Sequence, residues 1–169
     1  MTTIKLNDVE KRIALHIAKS RYLSNRKAGT FHDKLPSLDG IQPDIYGAES
    51  ELCVYKMLGI YPEGLFDVSP RSVAKGEDNG DIKYNGIIID VKSTPHHSGV
   101  LYSNRINEAV DVFLLMTGTD GEYTCRGGVT AKELYRKERY GKNNNRFLKP
   151  CYYIKQSELI DYKKLLDIV

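Results

Sequence analysis

The chain has 169 residues, 41% of them hydrophobic and 28% charged, with a formal net charge of +3. That length and balance fit a single domain, residues 1–169, with a core of its own, and exclude a disordered or fibrous chain. No apolar run approaches the roughly 20 residues that span a bilayer, the N-terminal MTTIKLNDVEKR is too polar for a secretory signal, and Cys53, Cys125 and Cys151 lack the spacing of a disulfide framework or a zinc finger, so a cytoplasmic protein with no membrane partner is expected.

Asn7 or Asp8 caps a first, basic helix over about residues 8–27, with Val9, Ile13 and Ile17 as its apolar stripe. Residues 30–46, with Pro36, Gly40 and Pro43 as punctuation, read as a long loop. A second helix is expected from near Gly47 to Leu58, with Gly59 as its stop. Residues 65–68 suggest a short strand, and residues 71–80 a loop. A hairpin follows, then the polar loop STPHHSG, a buried strand over 110–116 and another over 122–129. Thr130-Ala131-Lys132-Glu133 is a capping box that opens a third helix. GKNNNR is a loop, residues 152–154 a strand, and residues 157–166 a last helix. Strands around a central hairpin, flanked by helices, predict an α/β or α+β layer fold.

The hairpin carries the chemistry. Asn85-Gly86 is the signature of a two-residue type I′ turn. Pairing outward from it sets Tyr84 against Ile87, Lys83 against Ile88, Ile82 against Ile89 and then Asp81 against Asp90. Opposed residues project to one face with Cβ atoms about 5 Å apart, and like charges opposed in this way are destabilising. Lys92, two residues past Asp90, shares the face. A hard cation reverses the sign of the repulsion, because Mg²⁺ binds through one or two carboxylates together with phosphate and water. Lys92 would then sit where it can orient or help deprotonate a water, or stabilise charge on a phosphate. Read singly, Asp81 is a turn residue after Gly80 and Asp90 a strand end paired with Lys92; it is the triple that points to a site.

Glu51 shares a helical stripe with Val54, Tyr55 and Leu58, an odd place for a carboxylate, which makes it the preferred third acid. Glu49 is the alternative, otherwise paired with Lys56 or placed in the first helical turn. Two basic clusters can meet phosphates, one including Arg21, the other Arg139, Lys142 and Arg146. Ser93 and Thr94 can donate to a phosphate or simply close the strand, and His96 and His97 follow in an exposed loop. Tyr22, Tyr140, Tyr152 and Tyr153 read as packing residues more readily than as base-stacking ones.

Gly80-Asp81, then Asp90-Val91-Lys92, after a helix with Glu51, resembles the PD-(D/E)XK nuclease superfamily, with Gly80 in place of the usual proline. SELCVYKMLGIYPE, IIIDVKST and YYIKQSEL resemble small bacteriophage-type members, and the basic first helix with Arg21 and Asn25 fits more loosely. The resemblance implies a restriction-endonuclease-like core, a central mixed sheet whose hairpin carries the site, flanked by helices. It implies that Asp81, Asp90, the Val91 carbonyl and Glu51 bind Mg²⁺ or Mn²⁺, and that Lys92 is the catalytic lysine. The implied activity is hydrolysis of DNA by a metal-activated water; a homodimer would supply two sites for duplex cleavage. Members of such families that have lost activity leave a binding module, for nucleic acid or for a protein, as the alternative.

Overall fold

The computed structural model describes residues 1–27, 40–69, 80–141 and 150–169. In these residues eight strands and four α-helices form a mixed α+β fold. Strand β1 (Thr2–Lys5) is followed by helices α1 (Asp8–Lys27) and α2 (Gln42–Leu58), and then by a 3-10 turn at Glu63–Phe66. Next come β2 (Ile82–Tyr84), β3 (Ile87–Thr94), β4 (Leu101–Ser103), β5 (Val112–Thr119) and β6 (Glu122–Thr130). The chain ends with α3 (Ala131–Leu134), β7 (Tyr140–Gly141), β8 (Cys151–Ile154) and α4 (Tyr162–Asp167).

Five strands make the main sheet, in the order β1-β6-β5-β3-β2. It is mixed: β3 and β5 run parallel, and the other neighbours antiparallel. Side-chain alternation along β3 and β5 splits the core in two. Ile89, Val91, Val112, Leu114 and Met116 pack with α1 and α2 on one face, while Phe113 and Leu115 pack on the other with Leu101 of β4, Leu134 of α3 and Ile154 of β8. The second face is thus covered by a small sheet, ordered β4-β8-β7.

Local signals account for several boundaries. The Asn7 side chain accepts from the amides of Val9 and Glu10, and Glu10 reaches back to the Asn7 amide at 2.6 Å, so α1 opens on a full capping box. Gly59, in the left-handed region, ends α2 as expected. Asn85 and Gly86, at φ 48° and 87°, make the hairpin turn.

Other expectations need correction. Helix α2 begins at Gln42, not near Gly47, because Pro43 lies in its first turn, where no amide hydrogen is required of it. Residues 65–68 are not a strand: Leu65 and Phe66 belong to the 3-10 turn, and Leu65 is its only buried side chain. The last helix is shorter than expected, a 3-10 turn at Gln156–Glu158 and then α4 from Tyr162. On α1 the buried residues are Ala14, Ile17 and Ala18, while Val9 and Ile13 are exposed. Strands β1, β4 and β7 had no counterpart in the sequence reading. All three cysteines are free and buried, and burial pushes the Cys53 thiol up to about 12.

Candidate active site

Strand β3 is fixed at its start by Asp111. The Ile88 amide donates to Asp111 Oδ2 (2.8 Å), and the Asp111 amide donates to the Ile88 carbonyl (2.9 Å). With Ile89 and Val91 committed to the α1/α2 core, alternation turns Asp90 and Lys92 toward the opposite face. There Asp90 lies beside Phe113 and Lys92 beside Leu115 of the parallel neighbour β5. Lys92 Nζ stands 5.7 Å from the centre of the Phe113 ring.

Asp90 is 7% exposed. Lys92 Nζ approaches its Oδ1 to 2.6 Å. Oδ1 is shielded from solvent, and among the described residues that ammonium is its close partner, with no further hydrogen bond reaching it. Such an atom is costly unless another positive group joins it.

The ladder runs as read from the turn, through Tyr84↔Ile87, Lys83↔Ile88 and Ile82↔Ile89, and there it stops. Asp81 does not continue it as a paired residue opposite Asp90; its amide donates instead to the Ile89 carbonyl (2.9 Å). Gly80 accounts for the break. Its φ is +75°, and a Cβ on it would stand 2.6 Å from Ile88 Cγ2 and 3.2 Å from the Ile89 carbonyl oxygen. A proline, held near −65°, has no access to that conformation, so glycine is what this turn requires.

The Asp81 carboxylate nevertheless returns to β3. Its Oδ2 accepts from the Val91 amide at 2.7 Å, while the Asp81 carbonyl accepts from the Tyr55 hydroxyl at 3.1 Å. Burial, then the charges of Glu51 and Asp90, push the Asp81 carboxyl well above the usual carboxylate range, against the opposing pull of Lys92 and the Val91 amide. The charges of Glu51 and Asp90, the other two acids expected at the site, thus both act on Asp81.

The two glutamates of α2 separate cleanly. Glu51, 5% exposed, is gripped by both terminal nitrogens of Arg21 (2.7 and 2.8 Å), and Arg21 also donates to the Leu65 carbonyl (3.3 Å). Burial alone would lower the Arg21 pKa; the pairing with Glu51, then the charge of Asp81, raises it. Glu49, 6% exposed, accepts from the Gly121 amide (3.1 Å) and the Tyr123 hydroxyl (3.0 Å). Lys56 pairs with Glu10 at 2.8 Å, not with Glu49. Glu49 is thus a strap between α2 and the β5–β6 turn, and Glu51 is the acid whose charge reaches Asp81.

Among the described residues no three His, Cys, Asp or Glu side chains are gathered closely enough to make a ready metal cage. No protein-family model, curated protein or solved structure matches the chain. Function has to be read from the side chains.

The remaining expected residues divide by position. Ser93 and Thr94 close β3, half-buried, with Thr94 Oγ1 accepting from the His96 amide at 3.2 Å. Arg139 is engaged by Glu133 (2.8 Å) and Glu158 (3.0 Å), and Arg21 by Glu51, so both guanidiniums are tied into ion pairs. Lys142 and Arg146 lie outside the described residues. Tyr140 packs on Tyr152 with ring centres 4.9 Å apart. Two neighbours escaped the sequence reading. Tyr102 of β4, whose hydroxyl pKa burial raises against the charge of Lys92, belongs to the site's surroundings, and Arg126 of β6 bonds the His97 ring. Neither stands in a motif.

Proposed function

We propose that the chain is a divalent-cation-dependent DNA endonuclease on a restriction-endonuclease-like core, as its PD-(D/E)XK pattern implies. The observation that carries the reading is the pair of acids on the hairpin. Asp90 presents a buried oxygen that, among the described residues, meets only the Lys92 ammonium, and burial together with the charges of Glu51 and Asp90 pushes Asp81 toward its protonated form. Both defects are those a hard cation corrects, since it needs anionic oxygens and removes their mutual repulsion. Asp81, Asp90 and the Val91 carbonyl are the groups that would hold Mg²⁺ or Mn²⁺. When bound, the cation supplies an activated water and neutralises charge on the scissile phosphate. Lys92, anchored by Asp90, orients the attacking water and stabilises charge developing on the phosphate. Glu51, held by Arg21, acts on Asp81 through its charge and is the further acid that could bind the cation, directly or through water. A mixed sheet with the acids on a hairpin at its edge, and helices behind, supports the same reading.

The test is incubation of purified protein with Mg²⁺ or Mn²⁺ and circular, linear, single-stranded and junction DNA. Cleavage abolished by EDTA and by Lys92→Ala, with the fold intact by circular dichroism, is the expected result. Undiminished cleavage by Lys92→Ala overturns the assignment.

A second reading has its own observation. Glu51 is already neutralised by Arg21, and no three-acid cage is assembled among the described residues. Both facts suit a nucleic-acid- or protein-binding module that has kept the fold and lost catalysis. Calorimetric titration separates the two: heat from Mg²⁺ or Mn²⁺ binding that Asp90→Asn removes favours the enzyme, and no heat with or without DNA favours the module.

A further inference from the structure

We propose that Arg126, with Thr117 and His97, forms a phosphate subsite that holds the DNA strand beside the Asp81–Asp90–Lys92 centre. This rests on the nuclease reading and adds to it a positioning group outside the sequence motif.

The placement follows from the register. Thr94 is two residues beyond Lys92 on the same face of β3, about 7 Å along the strand. Across the sheet Thr94 pairs with Thr117 of β5, Thr117 with Thr124 of β6, and Thr124 with Thr3 of β1. A row of hydroxyls therefore crosses four strands on the face that carries Lys92. Of the apolar cover of that face, Leu115 is level with Lys92 and Phe113 lies one step further from the row, beside Asp90. Beyond the row an open cavity of about 550 Å³ is lined by Lys5, Lys11, His97, Thr117, Glu122 and Thr124, among others.

Arg126 is two residues past Thr124 and shares its face, next to a bulge. Leu115 pairs with Gly127 and Met116 with Cys125, which leaves Arg126 as the extra residue between them. Bulges redirect side chains, and they gather next to active sites. Here the guanidinium lies against the threonine row, where Nε donates to Thr117 Oγ1 at 2.6 Å. One terminal nitrogen meets the His97 ring, 2.6 Å from Nδ1 and 3.1 Å from Nε2. The other terminal nitrogen contacts the Met1 sulfur at 3.4 Å.

Charge decides what the subsite takes. Lys5 is matched by Glu122 (3.4 Å) and Lys11 by Asp120 (3.2 Å). Arg126 is the surplus cation: among the described residues its hydrogen-bond partners are a hydroxyl, an imidazole and a thioether, none of them anionic. A half-buried guanidinium with neutral partners, two of which (Thr117 and His97) line the polar cavity, fits a phosphodiester oxygen pair. Its distance along the sheet from Lys92 makes it the holder of a neighbouring phosphate, not of the scissile one.

The test uses a fluorescein-labelled DNA 20-mer, single-stranded and duplex, with Ca²⁺ replacing Mg²⁺, and reads binding by anisotropy across a salt series. Arg126→Ala is expected to weaken binding about 5- to 10-fold and to reduce the salt slope by about one phosphate contact, with Arg126→Lys recovering part of the affinity. A scan of 20-mers carrying one neutral methylphosphonate each supplies a readout that a structural role would not move. One position should weaken the wild type several-fold and leave Arg126→Ala indifferent. If Arg126→Ala fails to fold, the same scan with Arg126→Lys and Arg126→Gln decides the matter. An unchanged affinity and salt slope in a folded Arg126 variant, while the wild type binds and cleaves DNA, overturns the subsite alone. Failure of the wild type to bind DNA at all overturns the subsite and the nuclease reading together.

Discussion

The Asp81 carboxylate accepts a 2.7 Å hydrogen bond from the Val91 amide, and this bond brings the residue at the break in the hairpin ladder back to the strand that carries Asp90 and Lys92. The connection runs through the one amide between the two charged residues of β3. It ties Asp81 to β3 next to Asp90 although the two are not a ladder pair, and on the proposed reading both acids answer to the same cation.

Removing either acid should therefore remove both the catalytic and the thermodynamic response to metal. Asp81→Asn and Asp90→Asn keep the side-chain shape, and plasmid cleavage should fall by about 10²-fold or more. In the wild type, Mg²⁺ at 100 times its dissociation constant should add about 2.7 kcal/mol of stability. Differential scanning fluorimetry with and without Mg²⁺ should show that upward shift in the wild type and none in either variant.

Asp81 also sets a pH dependence whose sign is fixed. Its folded-state pKa lies above an unfolded value of about 3.9. The folded protein thus holds the proton more tightly. The stability this provides is complete below the unfolded pKa and is lost as pH rises through the raised folded one. In EDTA, the urea midpoint of the wild type should fall with rising pH across that window more steeply than that of Asp81→Asn. Saturating Mg²⁺ should flatten the wild-type curve, because the bound cation favours the ionised carboxylate.

Lys92→Ala should separate charge balance from chemistry. It leaves the Asp90 carboxylate, only 7% exposed, without its close cation. The Lys92 side chain is itself 35% exposed, so the cost is below that of a fully buried pair, about 1–2 kcal/mol in chemical denaturation. The fall in cleavage rate should be far larger, about 10²- to 10⁴-fold. Lys92→Ala/Asp90→Asn should recover most of the stability and none of the activity.

How much of this was legible in the sequence depends on how local each cause is. The Asn7 cap, the Gly59 stop and the Asn85-Gly86 turn act within a few residues, and the structure has all three. The register near the turn followed, but Gly80 sits where local sterics against Ile88 override simple outward pairing. Val9 and Ile13 have the right spacing for a buried stripe and remain exposed, because α1 uses the small side chains of Ala14 and Ala18 to approach its neighbours. The choice between Glu49 and Glu51 turns on Tyr123 and Arg21, 74 and 30 residues away along the chain. No periodicity encodes such contacts. The tie from Arg126 to Thr117 and His97 depends on contacts 9 and 29 residues away along the chain, which no motif marks.

The Arg21–Glu51 pair yields the last prediction. Both side chains are largely buried, at 16% and 6% exposure, and their bond is forked. Arg21→Met strands the Glu51 charge and should cost about 3–5 kcal/mol. Arg21→Met/Glu51→Leu replaces the pair with apolar groups of similar size and should recover most of that loss. The double variant also reports on the site, because Glu51 is the largest charge acting on Asp81. If Glu51 serves only to hold Arg21 and shape that field, the double variant should still bind Mn²⁺ by calorimetry, with affinity changed less than about 10-fold. If Glu51 is itself a ligand, Mn²⁺ binding should disappear in the double variant even though its stability is restored.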